Sequence, residues 1–205
     1  MKANVPSSRA TARAPRPRSA QSHEIRIIGG QWKRTKLKVA DKPGLRPTPD
    51  RVRETVFNWL GQELDGLRCL DAFAGTGALG LEAASRGAAQ VLLVEQDGAL
   101  VEQLKALQAQ LKAEAVRVQR GDGISALRQA APGSLDVVFI DPPFDAGLFD
   151  SALQAGVAAL APEGWIYLEA PTAYTDEQLA PLGLVLHRHL KAGMVHAHLL
   201  RRTAA

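Results

Sequence analysis

Leu70-Asp71-Ala72-Phe73-Ala74-Gly75-Thr76-Gly77-Ala78-Leu79-Gly80 is the stretch that decides the fold. An apolar run ends in a carboxylate, glycines follow, and a helix-forming stretch begins at Ala78. Glycine lets the backbone turn sharply and approach a ligand, and the amides opening the following helix face that same ligand. Gly75, Gly77 and Gly80 satisfy G-x-G-x-x-G, and Glu95 lies twenty residues beyond Gly75 at the end of the next apolar run. A carboxylate in that place can accept both hydroxyls of a ribose. Outward from this loop, strands are expected at 68–73, 90–94, 115–119, 135–140 and 164–170, with helices at 78–85, 98–112, 123–129 and 146–160. This alternation predicts an α/β fold with a mostly parallel sheet and helices on both faces. Residues 182–190 and 194–200, joined through Lys191-Ala192-Gly193, predict an antiparallel hairpin that ends the sheet.

Upstream, runs at 25–28 and 35–39 flank Gly29-Gly30 and predict a small hairpin carrying Lys33, Arg34, Lys36 and Lys38. Thr48-Pro49 offers an N-cap followed by proline at the first helical position. Val52, Val56, Leu60 and Leu64 then recur every four residues, so a helix over 49–64 is expected, with Arg51 and Arg53 off its apolar stripe. The expected organisation is a disordered basic arm at 1–23, a basic hairpin and helix at 24–65, and a catalytic domain at 66–205.

The charge is distributed unevenly along the 205 residues. Residues 1–23 hold five Lys/Arg and no acid, residues 24–58 hold nine against four, and residues 59–205 hold eleven against seventeen. A basic front on an acidic body is the asymmetry expected of a protein that meets a polyanion such as nucleic acid. No window approaches eighteen uninterrupted apolar residues. Cys69 is the only cysteine, which excludes an internal disulfide framework and a cysteine-based zinc site and suits a reducing, cytoplasmic setting. Because Cys69 sits in an apolar run, a thiolate nucleophile for methylating pyrimidine C5 is also excluded. Residues 1–22 superficially look like a transit peptide, but Pro6, Pro15 and Pro17 would break the amphipathic helix such a peptide needs.

Read alone, the glycine loop fits a nicotinamide cofactor as well as an adenosyl one. Asp71 chooses between them, because a carboxylate beside the ligand repels a pyrophosphate but suits the ammonium and sulfonium of S-adenosylmethionine. Asp122, in Arg120-Gly121-Asp122-Gly123, is placed either to accept from an adenine amino group or to cap a helix. The expected donor site comprises Asp71, Phe73, Ala74, Gly75, Thr76, Gly77, Glu95, Gln96, Asp122 and Gly123.

A second loop carries the chemistry. The apolar run 135–140 leads into Asp141-Pro142-Pro143-Phe144, at the carboxyl end of a core strand, where open α/β sheets place their active sites. The lone pair of an exocyclic amine on a base is delocalised into the ring. The Asp141 carboxylate and the Pro142 carbonyl, aimed at its N–H bonds, would favour a pyramidal nitrogen with the lone pair directed at a methyl group. The prolines hold those acceptors rigidly, and Phe144 offers a plane on which a base can stack. The amine's proton can then pass to Asp141 or to water.

Arg46-Pro47-Thr48-Pro49-Asp50-Arg51-Val52-Arg53-Glu54 and Phe57-Asn58-Trp59-Leu60, taken with the two loops, resemble the RsmD-type bacterial methyltransferases that act on N2 of a guanine in 16S ribosomal RNA. The resemblance covers about residues 25–200. It implies a seven-stranded Rossmann-like sheet of class I type, S-adenosylmethionine as donor with Glu95 on its ribose, and the target guanine at Asp141 to Phe144. It also implies a small ribosomal subunit, or its assembly precursor, as partner. RNA would then meet Lys33, Arg34, Lys36, Arg46, Thr48, Arg51 and Arg53, and a monomer is expected. Adenine N6 or a glutamine amide stays open as acceptor, since the same four-residue loop type serves those amines. A nicotinamide oxidoreductase is the alternative of a different class.

No metal is expected. His187, His189, His196 and His198 would share one face if the hairpin turns at Ala192-Gly193, but a single slip of register separates them. Neither a G-x-S-x-G nucleophile elbow nor a G-x-x-x-x-G-K-[ST] phosphate loop is present.

Overall fold

The computed structural model describes residues 23–39, 48–144 and 147–203. The basic arm, apart from His23, and Arg46 lie outside these residues. The expected α/β architecture is found, with a seven-stranded sheet in the order β5-β4-β3-β6-β7-β9-β8 and a separate two-stranded hairpin of β1 and β2. The strands are β1 (His23–Arg26), β2 (Lys36–Val39), β3 (Arg68–Asp71), β4 (Gln90–Glu95), β5 (Val116–Arg120), β6 (Leu135–Ile140), β7 (Leu160–Ala170), β8 (Leu184–Ala192) and β9 (Val195–Arg202). The helices are α1 (Asp50–Trp59), α2 (Ala78–Ser85), α3 (Gly98–Leu111), α4 (Gly123–Gln129), α5 (Phe149–Ala159) and α6 (Asp176–Leu179).

β3 to β7 run parallel, and β9 pairs antiparallel with both β7 and β8. A parallel strand covered on both faces is apolar at every position, and β6 shows why. Val137 and Phe139 pack on the face covered by α1, α2 and α3, while Val138 and Ile140 pack on the face covered by α4 and α5. From β3 the chain winds outward through β4 and β5, then returns to lay β6 on the other side of β3. Ligands bind where the winding reverses, in the crevice beyond the strand ends. The loops after β3 and β6 are the glycine loop and Asp141-Pro142-Pro143-Phe144, so the two motifs flank this point.

Several local expectations need correction. The first long helix stops at Trp59, and Leu64 is buried beyond it through a turn closed by Leu64 N–H on the Arg86 carbonyl at 2.8 Å. Pro49, rather than Thr48, occupies the N-cap, and no side chain caps the helix. The seventh strand begins at Leu160, with a register shift opposite Leu135 and Val137.

The hairpin and α1 belong to the same core as the sheet: Ile25, Ile27, Leu37, Val52, Val56 and Phe57 pack with Leu81, Leu93 and Phe139. Glu82 of α2 fixes that docking. It is fully buried, accepts the Ile28 and Gly29 amides at 2.8 Å each, and takes Arg86 Nε at 2.8 Å and Arg53 Nη1 at 3.4 Å.

Candidate active site

The loop after β3 is built by backbone geometry. Gly75 and Gly77 have φ of 51° and 78°, in the left-handed region that favours glycine. A side chain at Gly80 would collide with Leu93 Cδ2. Ala74 N–H donates to the Val94 carbonyl at 2.9 Å, which ties the loop to the end of β4. Glu95 accepts Gly75 N–H on Oε2 and Asp97 N–H on Oε1, both at 2.9 Å. Glu95, twenty positions beyond Gly75, is thus fixed against that glycine and is half-buried.

Asp71 stands behind the loop. It is 2% exposed, and its Oδ2 accepts Gly80 N–H at 3.0 Å. Burial pushes its carboxyl up to about 7, the Gly80 and Phe73 amides pull it down, and Glu95 and Glu169 raise it further. A buried carboxyl poised near neutrality fits a cationic ligand, which would favour its charged form. Thr76 and Ala74 are buried with it, and Phe73 is half-buried.

Asp122 caps α4, its Oδ2 accepting Ser125 N–H at 2.8 Å, which realises the helix-cap reading. Its Oδ1 accepts Gln96 Nε2 at 3.1 Å, so Gln96 and Asp122 bridge the ends of β4 and β5 beside Glu95. Hydrogen bonds to Ser125 hold the Asp122 carboxyl below its usual range. A Cβ on Gly123 would strike the Ala72 carbonyl, which shows how closely α4 abuts the glycine loop. These residues suit an adenosyl donor: a carboxylate that can meet a ribose and open backbone where a ligand must approach, with Arg120 at the rim donating from Nε to the Gln96 carbonyl at 3.4 Å.

At the end of β6, Asp141 is half-buried, Pro142 buried and Pro143 exposed. Burial raises the Asp141 carboxyl well above its usual value, and the nearby Glu169 and Asp71 carboxyls add to the effect. Phe144 is 38% exposed, a large apolar ring open to solvent, backed by Phe149 at 6.2 Å between centroids. A carboxyl with a raised proton affinity beside an exposed ring can receive a proton from an amine stacked there.

The residues expected to meet RNA divide. Lys33, Arg34, Lys36 and Arg51 are exposed, with Lys36 Nζ 3.2 Å from Glu24. Arg53 is corrected: its side chain is wholly buried, bonded to Asp50 at 2.6 Å, to the Arg26 carbonyl at 2.9 Å and to the Thr48 carbonyl at 3.2 Å, besides Glu82. It clamps α1 to the hairpin and cannot touch RNA. Thr48 is also buried and donates to Glu169 Oε1 at 2.7 Å, so it faces inward and not toward solvent. Arg46 lies outside the described residues.

Two residues absent from the sequence expectations matter here. Glu169 lies one residue before the end of β7, beside Asp141, and Tyr167 donates to its Oε1 at 2.8 Å. The signal was available: Tyr167 and Glu169 share a face by period two, as Phe139 and Asp141 do. The four histidines do not assemble. A register shift between Leu186 and Arg188 leaves His187 against Trp165, at 4.9 Å between centroids, away from the other three. His198 accepts Tyr174 N–H on Nε2 at 3.0 Å and donates from Nδ1 to the Leu168 carbonyl at 3.3 Å, leaving no nitrogen to ligate. Among the described residues no group of three or more His, Cys, Asp or Glu is arranged to hold a metal, and no helix is long and apolar enough to cross a membrane. Cys69 is buried in β3, its thiol pushed up to about 12, so it is not a nucleophile.

The chain is similar to known proteins. "Ribosomal RNA small subunit methyltransferase D" of Escherichia coli (strain K12) is 44% identical over 195 residues, covering 92% of this chain and 96% of that protein. The protein of the same name from Haemophilus influenzae is 41% identical over 162 residues, covering 78% of this chain and 82% of its own. A solved Escherichia coli chain, yhhF, superposes with a TM-score of 0.77 at 45% identity, covering 89% of this chain and 100% of that one. The family model described as "Conserved hypothetical protein 95" matches residues 25–201. With the glycine loop and the Asp141 to Phe144 loop flanking the switch point of its sheet, the chain belongs to this family, that of the RsmD-type methyltransferases.

Proposed function

We propose that the chain transfers a methyl group from S-adenosylmethionine to the exocyclic N2 of one guanine in 16S ribosomal RNA. The observation that carries this reading is the placement of an adenosyl-type loop and an amine-acceptor loop on either side of one crevice. The small subunit as partner is supported by what the Escherichia coli and Haemophilus influenzae relatives are called.

S-adenosylmethionine supplies, when bound, a methyl group activated on a sulfonium. The chain's own residues do the rest. Glu95 accepts the ribose hydroxyls, the backbone from Ala74 to Gly77 admits the donor closely, and Asp71 balances positive charge from behind the loop. Gln96, Asp122 and Gly123 shape the adenine end. Asp141 and the Pro142 carbonyl accept the N–H bonds of the guanine amine, and Phe144 stacks on the ring. As N2 bonds to carbon and the carbon–sulfur bond breaks, the N2 proton passes to Asp141 or to water. The exposed cations Lys33, Arg34, Lys36 and Arg51 hold the RNA backbone over the crevice, so residues 24–65 serve as the RNA-contacting part and 66–205 as the catalytic part. The protein acts as a monomer in the cytoplasm.

The test is tritiated methyl transfer onto isolated small subunits, naked 16S RNA and 70S ribosomes in parallel, with Asp141→Ala as control. Incorporation into small subunits or their RNA is expected, lost in Asp141→Ala while donor binding by calorimetry persists. Equal turnover in the variant would remove Asp141 from the mechanism.

A further inference from the structure

Two acidic residues stand side by side at the ends of β6 and β7. Phe139 pairs with Tyr167 and Ile140 with Leu168 in the parallel ladder, so the next step brings Asp141 alongside Glu169. Neighbouring strands lie about 4.8 Å apart, within reach of one base edge. Glu169 is 3% exposed, and no lysine or arginine among the described residues forms an ion pair with it. The Thr48 and Tyr167 hydroxyls both donate to Oε1, at 2.7 Å and 2.8 Å. Burial raises the Glu169 carboxyl, while these two donors favour its charged form.

Only Oε1 takes those bonds. Among the described residues, the one fully enclosed side-chain polar atom without a partner is Arg202 Nε. No hydrogen bond to Glu169 Oε2 is formed among the described residues and that atom is not fully enclosed, on a side chain pinned by its other oxygen next to Asp141. A buried carboxylate beside the reacting loop, immobilised on one side and unspent on the other, is a ligand acceptor in waiting.

Guanine offers adjacent donors on one edge, N1–H beside the N2 amine, whereas adenine shows a bare N1 lone pair beside its amine. We propose that Glu169 Oε2 accepts N1–H of the target guanine, which makes Glu169 the residue that selects guanine over adenine at the Asp141 to Phe144 loop. This rests on the guanine N2 reading above. A lone-pair-bearing N1 would face the carboxylate and be repelled, and an acceptor built for a donor rejects a base lacking it. Thr48 then acts through Glu169, coupling the segment before α1 to base choice.

2-Aminopurine isolates the contact, since it keeps the N2 amine but carries a lone pair at N1. Small subunits are reconstituted with guanine or 2-aminopurine at the position the wild-type protein methylates, and single-turnover rates are compared. Wild type should prefer guanine by about 100-fold, the worth of one hydrogen bond to a charged acceptor. Glu169→Gln keeps an oxygen for Thr48 and Tyr167 and turns a donor toward N1, so its guanine to 2-aminopurine ratio should fall at least about tenfold below that of wild type. Loss of O6 in 2-aminopurine affects both enzymes and cancels from the comparison. A wild-type ratio near one, or an unchanged ratio in the variant, overturns the proposal. So does a variant inactive on both bases, because a lost acceptor alone leaves 2-aminopurine a substrate. A wild-type product other than N2-methylguanine overturns the guanine reading itself, and is seen before any variant is made.

Discussion

Glu82→Gln tests the docking of the basic hairpin against α2 and the sheet. The wild-type carboxylate is fully buried and carries four donors, two backbone amides at 2.8 Å and the guanidinium groups of Arg86 and Arg53 at 2.8 Å and 3.4 Å. Glutamine supplies one acceptor oxygen in place of two, and turns an N–H toward donors on the other side. Each oxygen accepts one backbone amide and one guanidinium, so both bonds of the replaced oxygen are lost or opposed, at about 1 kcal/mol for the amide and about 1.5–3 kcal/mol for the charge-assisted partner. Arg53 is also left wholly buried with only Asp50 as anionic partner, and breaking a buried pair costs about 3–5 kcal/mol. The overlapping contributions give an expected loss of about 3–4 kcal/mol in unfolding free energy. Urea denaturation followed by tryptophan fluorescence at pH 7.5 measures it. Lys105→Ala, which breaks an exposed pair with Glu102 at 2.9 Å, is the reference and should change stability by less than about 0.5 kcal/mol. A Glu82→Gln protein within about 1 kcal/mol of wild type would refute the view that this carboxylate holds the hairpin in place.

Three further outcomes follow from the same geometry. Asp71 has its carboxyl raised to about 7, so the folded protein holds a proton there that the unfolded chain releases near its ordinary value, and stability falls as pH rises between about 4 and 7. Asp71→Asn, which keeps an acceptor for Gly80, should gain stability relative to wild type across that range, by up to ~4 kcal/mol at its upper end; parallel melting curves at pH 5 and pH 8 would contradict this. His198 is lowered to about 4 by burial first, so its neutral form contributes stability above its ordinary value that is lost as pH falls from about 6.5 to about 4. Melting temperatures of wild type and His198→Gln should diverge least at low pH, and a gap independent of pH would exclude that histidine. Lys33→Ala with Arg34→Ala should lower the slope of log binding constant against log salt by about 1–2 in filter binding to 16S RNA, with the methylated nucleotide unchanged. An unchanged slope would take the hairpin out of the RNA contact.

The helices at 78–85 and 123–129 and the strand at 135–140 coincide with α2, α4 and β6. Local signals placed them: a glycine turn before one, Asp122 capping another, and an apolar run too short for a helix in the third. What the sequence hid were contacts between distant segments. Arg53 looks solvent-facing by helical period, but Glu82, 29 positions away, lets its charge be buried. Thr48 before a proline reads as a cap, yet Glu169, 121 positions away, takes its hydroxyl. His187 left the histidine face through one register shift, which no pattern of period two announces. The glycine loop and the Asp141 to Phe144 loop were legible because glycine and proline fix backbone shape locally. Glu169 was legible in principle, by its offset from the strand end, but carries no motif of its own.

The most direct measurement is mass spectrometry of the nucleosides released from small subunits after incubation with the protein and S-adenosylmethionine bearing a trideuterated methyl group. Trideuterated N2-methylguanosine should appear with wild type and vanish with Asp141→Ala. Label in N6-methyladenosine, or no label in RNA at all, would contradict guanine N2 as the acceptor.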